Sequence, residues 1–282
     1  MADNILHASR VITEHSCTDK LRVYYVGFEQ KQFRLDALVE IITGVIPEFV
    51  FGSNVTTVAN RDLTYRVRES AKRLYETDKY QRRGEFGEVI LHLLLSDFVG
   101  TVPLLSKIYF KDSMNATVHG FDGVHVLVKG EKRQLWLGES KLYDDGAAGV
   151  AELAKDIVEH FKTDYLRSEF LLLSDRIAED TPDIQHWKEL LHQHTVLDKI
   201  LNEVWVPCVC TYSGSAYDGN EDICEKFTND LNTEVERLEK KFSEELEKVE
   251  TKLNVILILF PVKNKAELVT ALHDKVQAWR DL

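Results

Sequence analysis

The sequence predicts an α/β protein in which a mixed β-sheet is flanked by helices. Three observations carry that expectation. From residue 84 onward, segments with helical spacing alternate with short β-rich runs, in the order helix, strand, strand, strand, helix, strand, helix, strand, helix. Val255-Ile256-Leu257-Ile258-Leu259-Phe260 is apolar at every position, the pattern of a central strand buried on both faces. Two further runs, 120–128 and 134–141, are separated only by Lys129-Gly130-Glu131-Lys132, a tight hairpin signal with Gly first in the turn.

In chain order, residues 1–75 read as an N-terminal α/β region packed on a core of residues 76–282. Leu21 to Val26 is a strand, and Leu35, Leu38, Val39 and Ile42 have helical spacing ended by Gly44 and Pro47. Val45 to Phe51 is apolar and runs into a Gly52-Ser53-Asn54 loop. Leu63 to Tyr75 is helical. Phe86, Val89, Ile90, Leu93 and Leu94 form one stripe, so residues 84–95 are a core helix, with Glu85 and Glu88 in its first turn, where carboxylates suit the helix dipole.

Ser106 to Phe110 reads as a strand, and Thr117-Val118-His119 leads into the hairpin. Tyr143 to Gly146 is a loop, followed by a crossover helix from Ala148 to Phe170 and a polar helical stretch from Asp175 to Lys199. Val204 to Tyr212 is a strand. Ile223, Phe227, Leu231, Val235, Leu238, Phe242, Leu246, Val249 and Leu253 mark a long amphipathic helix, which either covers the sheet or binds a partner through its acidic outer face. Leu253 to Val262 is the central strand and Ala266 to Trp279 a terminal helix.

Composition narrows the function classes. The 282 residues are 44% hydrophobic, ample for a core, and carry a net charge of −12, which argues against a free-standing nucleic-acid binder. The charge is uneven: residues 61–83 hold eight basic and four acidic residues, a balance of +4, leaving −16 elsewhere. Lys72, Arg73, Arg82 and Arg83 are candidates for phosphate contact; the same island also reads as an ordinary solvated helix. Cys17, Cys208, Cys210 and Cys224 form neither a metal-ligand nor a disulfide pattern, and Cys208 and Cys210 read as small core residues of a reducing cytosol. With no basic-then-apolar leader and no apolar run long enough to span a bilayer, a cytoplasmic protein without a membrane partner is expected. His119, His125, His192 and His194 lack ligand spacing, and no Gly-x-Ser-x-Gly elbow occurs.

The hairpin concentrates the chemistry. With Gly130-Glu131 as turn centre, Lys129 pairs with Lys132, and Asp122 falls opposite Glu139. Opposed side chains share a face, with Cβ atoms roughly 5 Å apart, and Lys141 points the same way as Glu139. Two converging carboxylates repel unless a divalent cation lies between them; hard oxygen donors suit Mg²⁺ or Mn²⁺. Such a cation activates water and polarises a phosphodiester, and a nearby ammonium offsets developing charge.

Asp122 on one strand and Glu139-Ser140-Lys141 on the next resemble the PD-(D/E)xK motif of the restriction-endonuclease-like superfamily, with Phe121 where the motif name has Pro. The resemblance implies a helix–three strands–helix–strand core. It also implies metal binding by Asp122, Glu139 and the Ser140 backbone carbonyl, with Lys141 positioning or activating the attacking water. Superfamily members often add a helix Glu, here Glu88 or Glu85; Glu88 directly precedes the buried run. More narrowly, Arg83 to Glu88, Gly120 to Gly123 and Trp136 to Lys141, in a chain of this length, resemble the HamA family, the nuclease subunit of the bacterial Hachiman anti-phage system. That resemblance implies a Mg²⁺-dependent DNase with little sequence preference, held in check by a helicase subunit, HamB. Two other readings stand beside it: a catalytically silent nuclease-like adaptor that binds DNA or the helicase, and a nuclease that cuts RNA.

Overall fold

The computed structural model describes residues 5–52, 59–74, 84–104, 121–160, 163–174, 177, 181–192, 194–247 and 253–282. The chain opens with two antiparallel strands, β1 (Ile12–Cys17) and β2 (Leu21–Val26). A small hairpin of β3 (Phe28–Glu29) and β4 (Gln32–Phe33) turns at Gln30-Lys31, both at positive φ, as a two-residue primed turn demands. Helices α1 (Leu35–Gly44), α2 (Ile46–Phe51) and α3 (Asn60–Leu74) follow. Pro47 stands in the first turn of α2, where its missing N–H removes no helical bond, so the apolar run after Gly44 is a second helix.

Next come α4 (Glu85–Leu94), which runs on through a π-helical turn to Val99, and the short β5 (Val102–Pro103). The hairpin is β6 (Gly123–Lys129) and β7 (Lys132–Tyr143). Then follow α5 (Gly146–His160), α6 (Thr163–Ser174), α7 (Ile184–Leu190), α8 (Leu197–Leu201), β8 (Val204–Ser213), α9 (Glu225–Leu246), β9 (Asn254–Val262) and α10 (Lys265–Arg280). Helices α5 and α6 occupy the stretch expected as one crossover helix, on either side of residues 161–162. The strand expected at Ser106–Phe110, the lead-in at 117–119, and Arg82 and Arg83 lie outside the described residues.

Seven strands form one mixed sheet in the order β1-β2-β9-β8-β7-β6-β5. Strands β2, β9, β8 and β7 run parallel, with β1, and β6 with β5, supplying antiparallel edges. The N-terminal region therefore extends the same sheet: Val23 pairs with Leu259 of β9. Parallel strands need cover on both faces. Helices α5, α6, α7 and α9 cover one, burying Leu153, Ile157, Phe170, Trp187, Leu231 and Leu238. Helices α1, α2, α3, α4 and α10 cover the other, burying Ile42, Phe49, Leu74, Phe86, Ile90 and Leu272.

Helix α9 buries Phe227, Leu231, Val235, Leu238 and Phe242 at the expected spacing, together with Glu234. Glu234 accepts bonds from the Ser215 N–H (3.0 Å) and hydroxyl (3.1 Å), which pins α9 to the loop after β8.

Candidate active site

The geometry of the site begins at the turn. Gly130 has φ +62°, Glu131 is not among the positive-φ residues, and Lys129 pairs with Lys132, so the expected register holds down to Gly123 opposite Gly138. Beyond that pair the ladder breaks. The Asp122 N–H donates to the Gly138 carbonyl (2.9 Å), just outside the last paired residues. Asp122 Oδ2 accepts from both the Ser140 N–H and the Ser140 hydroxyl, each at 2.8 Å.

Alternation along β7 sorts the motif between the two faces of the sheet. Gly138 and Ser140 face α4. A Cβ at Gly138 would stand 2.7 Å from Leu91 Cδ2, and one at Gly87 would stand 3.1 Å from Ser140 Oγ, so glycine on each side lets α4 sit against the strand. That contact sets Glu88 near Asp122. Glu139 and Lys141 face α5 instead. Glu139 Oε1 lies 2.7 Å from His160 Nδ1, and Lys141 Nζ is ion-paired with Asp156 Oδ2. Cys208, fully buried beside Glu139 on β8, forms the floor.

The electrostatics follow from burial and crowding. Burial raises the Asp122 carboxyl above its ordinary range, and the Glu88 carboxylate raises it further, against the hydrogen bonds from Ser140. Burial pushes Glu139 up to about 7, opposed by the bond from His160 and reinforced by Asp122. The bond to Glu139 raises His160 in turn, against the opposing effect of burial. For Lys141 burial works against the charge, but Asp156 outweighs it and the ammonium is held.

Asp122, Glu139, Glu88 and Asp156 give four carboxyl groups against two basic groups, Lys141 and His160. The donor set, hard oxygen with surplus negative charge, fits a divalent cation of the Mg²⁺ type. Among the described residues no three His, Cys, Asp or Glu side chains already form a cation cage. Asp122 and Glu139 would supply the side-chain donors, with a backbone carbonyl and water completing the shell.

The HamA family model matches residues 2–276 of the chain. The chain belongs to the HamA family. HamA membership places it in Hachiman anti-phage defence. No curated protein matches the chain. No helix among the described residues of this HamA-family chain is long and apolar enough to cross a membrane.

Of the residues singled out in the sequence, Asp122, Glu139, Ser140, Lys141 and Glu88 come together in this HamA-family chain. Glu85 stands with Glu88 in the first turn of α4. Lys72 is exposed on α3, and the Arg73 guanidinium lies 5.6 Å from the Phe51 ring centroid, where Arg66 also stacks at 5.5 Å. Sequence reasoning missed Asp156 and His160. Their i, i+4 spacing puts them on one face of α5, just beside the apolar stripe of Leu153 and Ile157. It missed the partners because nothing in the chain pairs that face with Glu139 and Lys141 before the sheet forms.

Proposed function

We propose that this HamA-family chain is a metal-dependent nuclease that hydrolyses phosphodiester bonds of DNA with little sequence preference. The reading rests on one observation above the rest: Asp122, Glu139 and Lys141 meet at the base of one hairpin, where the carboxylates are too crowded to ionise comfortably alone. The fold order around the hairpin, a preceding core helix, the β6–β7 pair, a crossover and the parallel β8, supports assignment to the PD-(D/E)xK class. Residues 76–282 then form the nuclease domain, with residues 1–75 extending its sheet.

A Mg²⁺ or Mn²⁺ ion held by Asp122, Glu139 and the Ser140 carbonyl would supply Lewis-acid polarisation of the phosphodiester and an activated water. The chain's own groups do the rest. Ser140 orients Asp122 through two hydrogen bonds. Lys141, kept protonated by Asp156, offsets charge developing on the phosphoryl oxygens. Glu88 adds negative charge that favours cation binding next to Asp122. Lys72 and Arg73, with Arg82 and Arg83 in the same basic segment, are the proposed phosphate contacts. A chain of net charge −12 relies on a partner for nucleic-acid capture, which suits regulation by a helicase subunit in a cytoplasmic defence complex.

The test is DNA cleavage with Mg²⁺ and the helicase partner present. Glu139→Ala and Lys141→Ala should each slow cleavage severely while leaving a residual rate that can be measured; undiminished cutting by either would falsify the assignment and favour the adaptor reading. A parallel RNA digest separates the substrates.

A further inference from the structure

We propose that Asp156 and His160 of α5 are positioning residues of the site, each acting through one motif residue: Asp156 holds Lys141, and His160 holds Glu139. The inference deepens the nuclease reading and rests on it.

Three observations carry it. First, the spacings match. Residues i and i+4 of a helix are separated by about 6 Å along its axis, and residues i and i+2 of a strand by about 6.7 Å. Two side chains one helical turn apart on α5 can therefore meet two alternate side chains of β7 at once. The order is reversed, Glu139 with His160 and Lys141 with Asp156, because α5 returns antiparallel to β7 on its way to the parallel strand β8.

Second, α5 is seated unusually close to the sheet. A Cβ at Gly149 would lie 2.5 Å from Cys210 Sγ, and one at Gly146 2.8 Å from the Tyr212 ring. Larger residues there would hold the helix off, and the two polar contacts would open.

Third, both pairs are shielded. Glu139 is 2% exposed, and the Lys141 and Asp156 side chains are 22% and 20% exposed, so neither pair is a solvated surface bridge. His160 is fixed from a second side as well. The Phe121 ring meets it edge-on, with centroids 6.3 Å apart and planes at 82°. Phe121 sits where the motif name has Pro, and this contact gives the exchange a use: the residue before Asp122 braces the imidazole that braces Glu139. Groups that orient metal ligands in this way are typically worth tenfold to a hundredfold in affinity or activity.

The experiment is a pair of double-mutant cycles on the full chain. For cleavage, with the helicase partner and Mg²⁺ present, Asp156→Ala should slow the reaction roughly tenfold to a hundredfold, and adding it to Lys141→Ala should cost nothing more. For Mn²⁺ affinity by calorimetry, His160→Ala should weaken binding by about the same factor. His160→Asn, which keeps a donor in the place of Nδ1, should restore it, and His160→Ala added to Glu139→Gln should weaken binding no further. Additive losses in either cycle overturn the inference, since a merely structural role gives additivity. Where Asp156→Ala fails to fold, Asp156→Asn takes its place in the same cycle. Wild-type cleavage that Asp156→Ala and His160→Ala match overturns the positioning roles alone. A wild-type chain that binds Mn²⁺ but cuts no DNA overturns the nuclease reading, with the calorimetric cycle still deciding His160. No Mn²⁺ binding by the wild type overturns both.

Discussion

Gly149→Ala sets local propensity against tertiary contact. Taken alone, replacing a glycine inside α5 by alanine should stabilise the helix by about 1 kcal/mol. The new Cβ, however, would stand 2.5 Å from Cys210 Sγ, 0.9 Å inside the 3.4 Å at which ordinary contact begins. Cys210 is fully buried on β8, so the clash is expected to push α5 back from the sheet. Overpacking of this kind costs roughly 1–3 kcal/mol. The net expectation is a loss of up to about 2 kcal/mol, which lowers Tm by roughly 2–4 °C per kcal/mol in a chain of this size. The larger effect falls on the site. Displacement of α5 by nearly 1 Å loosens Asp156 and His160 from Lys141 and Glu139, and a misplacement of that size can cost about a hundredfold in rate. Thermal unfolding and DNA cleavage measure the two effects separately. Removing the sulfur in Gly149→Ala/Cys210→Ala should return activity toward wild type. A Gly149→Ala chain that melts higher than wild type and cuts at the wild-type rate would show that α5 is not seated by this contact.

Further predictions concern charge. Glu139 has a raised folded-state pKa, so the folded protein binds the extra proton between about 4.5 and 7 and stability falls as pH rises through that window; the penalty, on the order of 3 kcal/mol, is present above pH 7. The raised His160 adds stability that is fully present below pH 6.5 and is lost as pH rises through its raised folded-state value. Urea titrations should therefore find Glu139→Gln more stable than wild type at pH 8, with the advantage gone at pH 4.5. Mg²⁺ at a hundred times its Kd should raise wild-type stability at pH 8 by about 2.7 kcal/mol, and Asp122→Asn should lose that gain. On the α4 face of the sheet, burial lowers His92 to about 4, and it bonds the equally buried His125, whose other nitrogen meets Thr101 at 2.9 Å. Depressed values mean stability present above pH 6.5 and lost as pH falls toward 4, so imidazole NMR should find both rings neutral at pH 5.5. Lys72→Ala should reduce the salt slope of DNA binding by about 1 without changing stability, while Arg73→Ala should also cost about 0.5–1 kcal/mol through its contact with Phe51.

Local rules made much of the fold legible in the sequence. The glycine-first turn between Lys129 and Lys132 determined the pairing of β6 with β7, because a one-residue slip would have turned every side chain to the opposite face. The unbroken apolar run of β9 could be buried only inside a sheet covered on both sides, and the stripes of α4 and α9 declared their buried faces through helical spacing. Other features depended on segments distant in sequence. The N-terminal strands joined the sheet beside β9, and strand edges carry no address of their own. The Asp122 carboxylate turned to Ser140 where the ladder ends, a contact that no spacing in the chain announces. Most of all, the tertiary structure decided what Asp156 and His160 are for. On α5 they are two polar residues at ordinary spacing; only the close seating of Gly146 and Gly149 on β8 brings them to Lys141 and Glu139. Sequence determined which chemistry the hairpin could carry, and long-range packing determined how that chemistry is held.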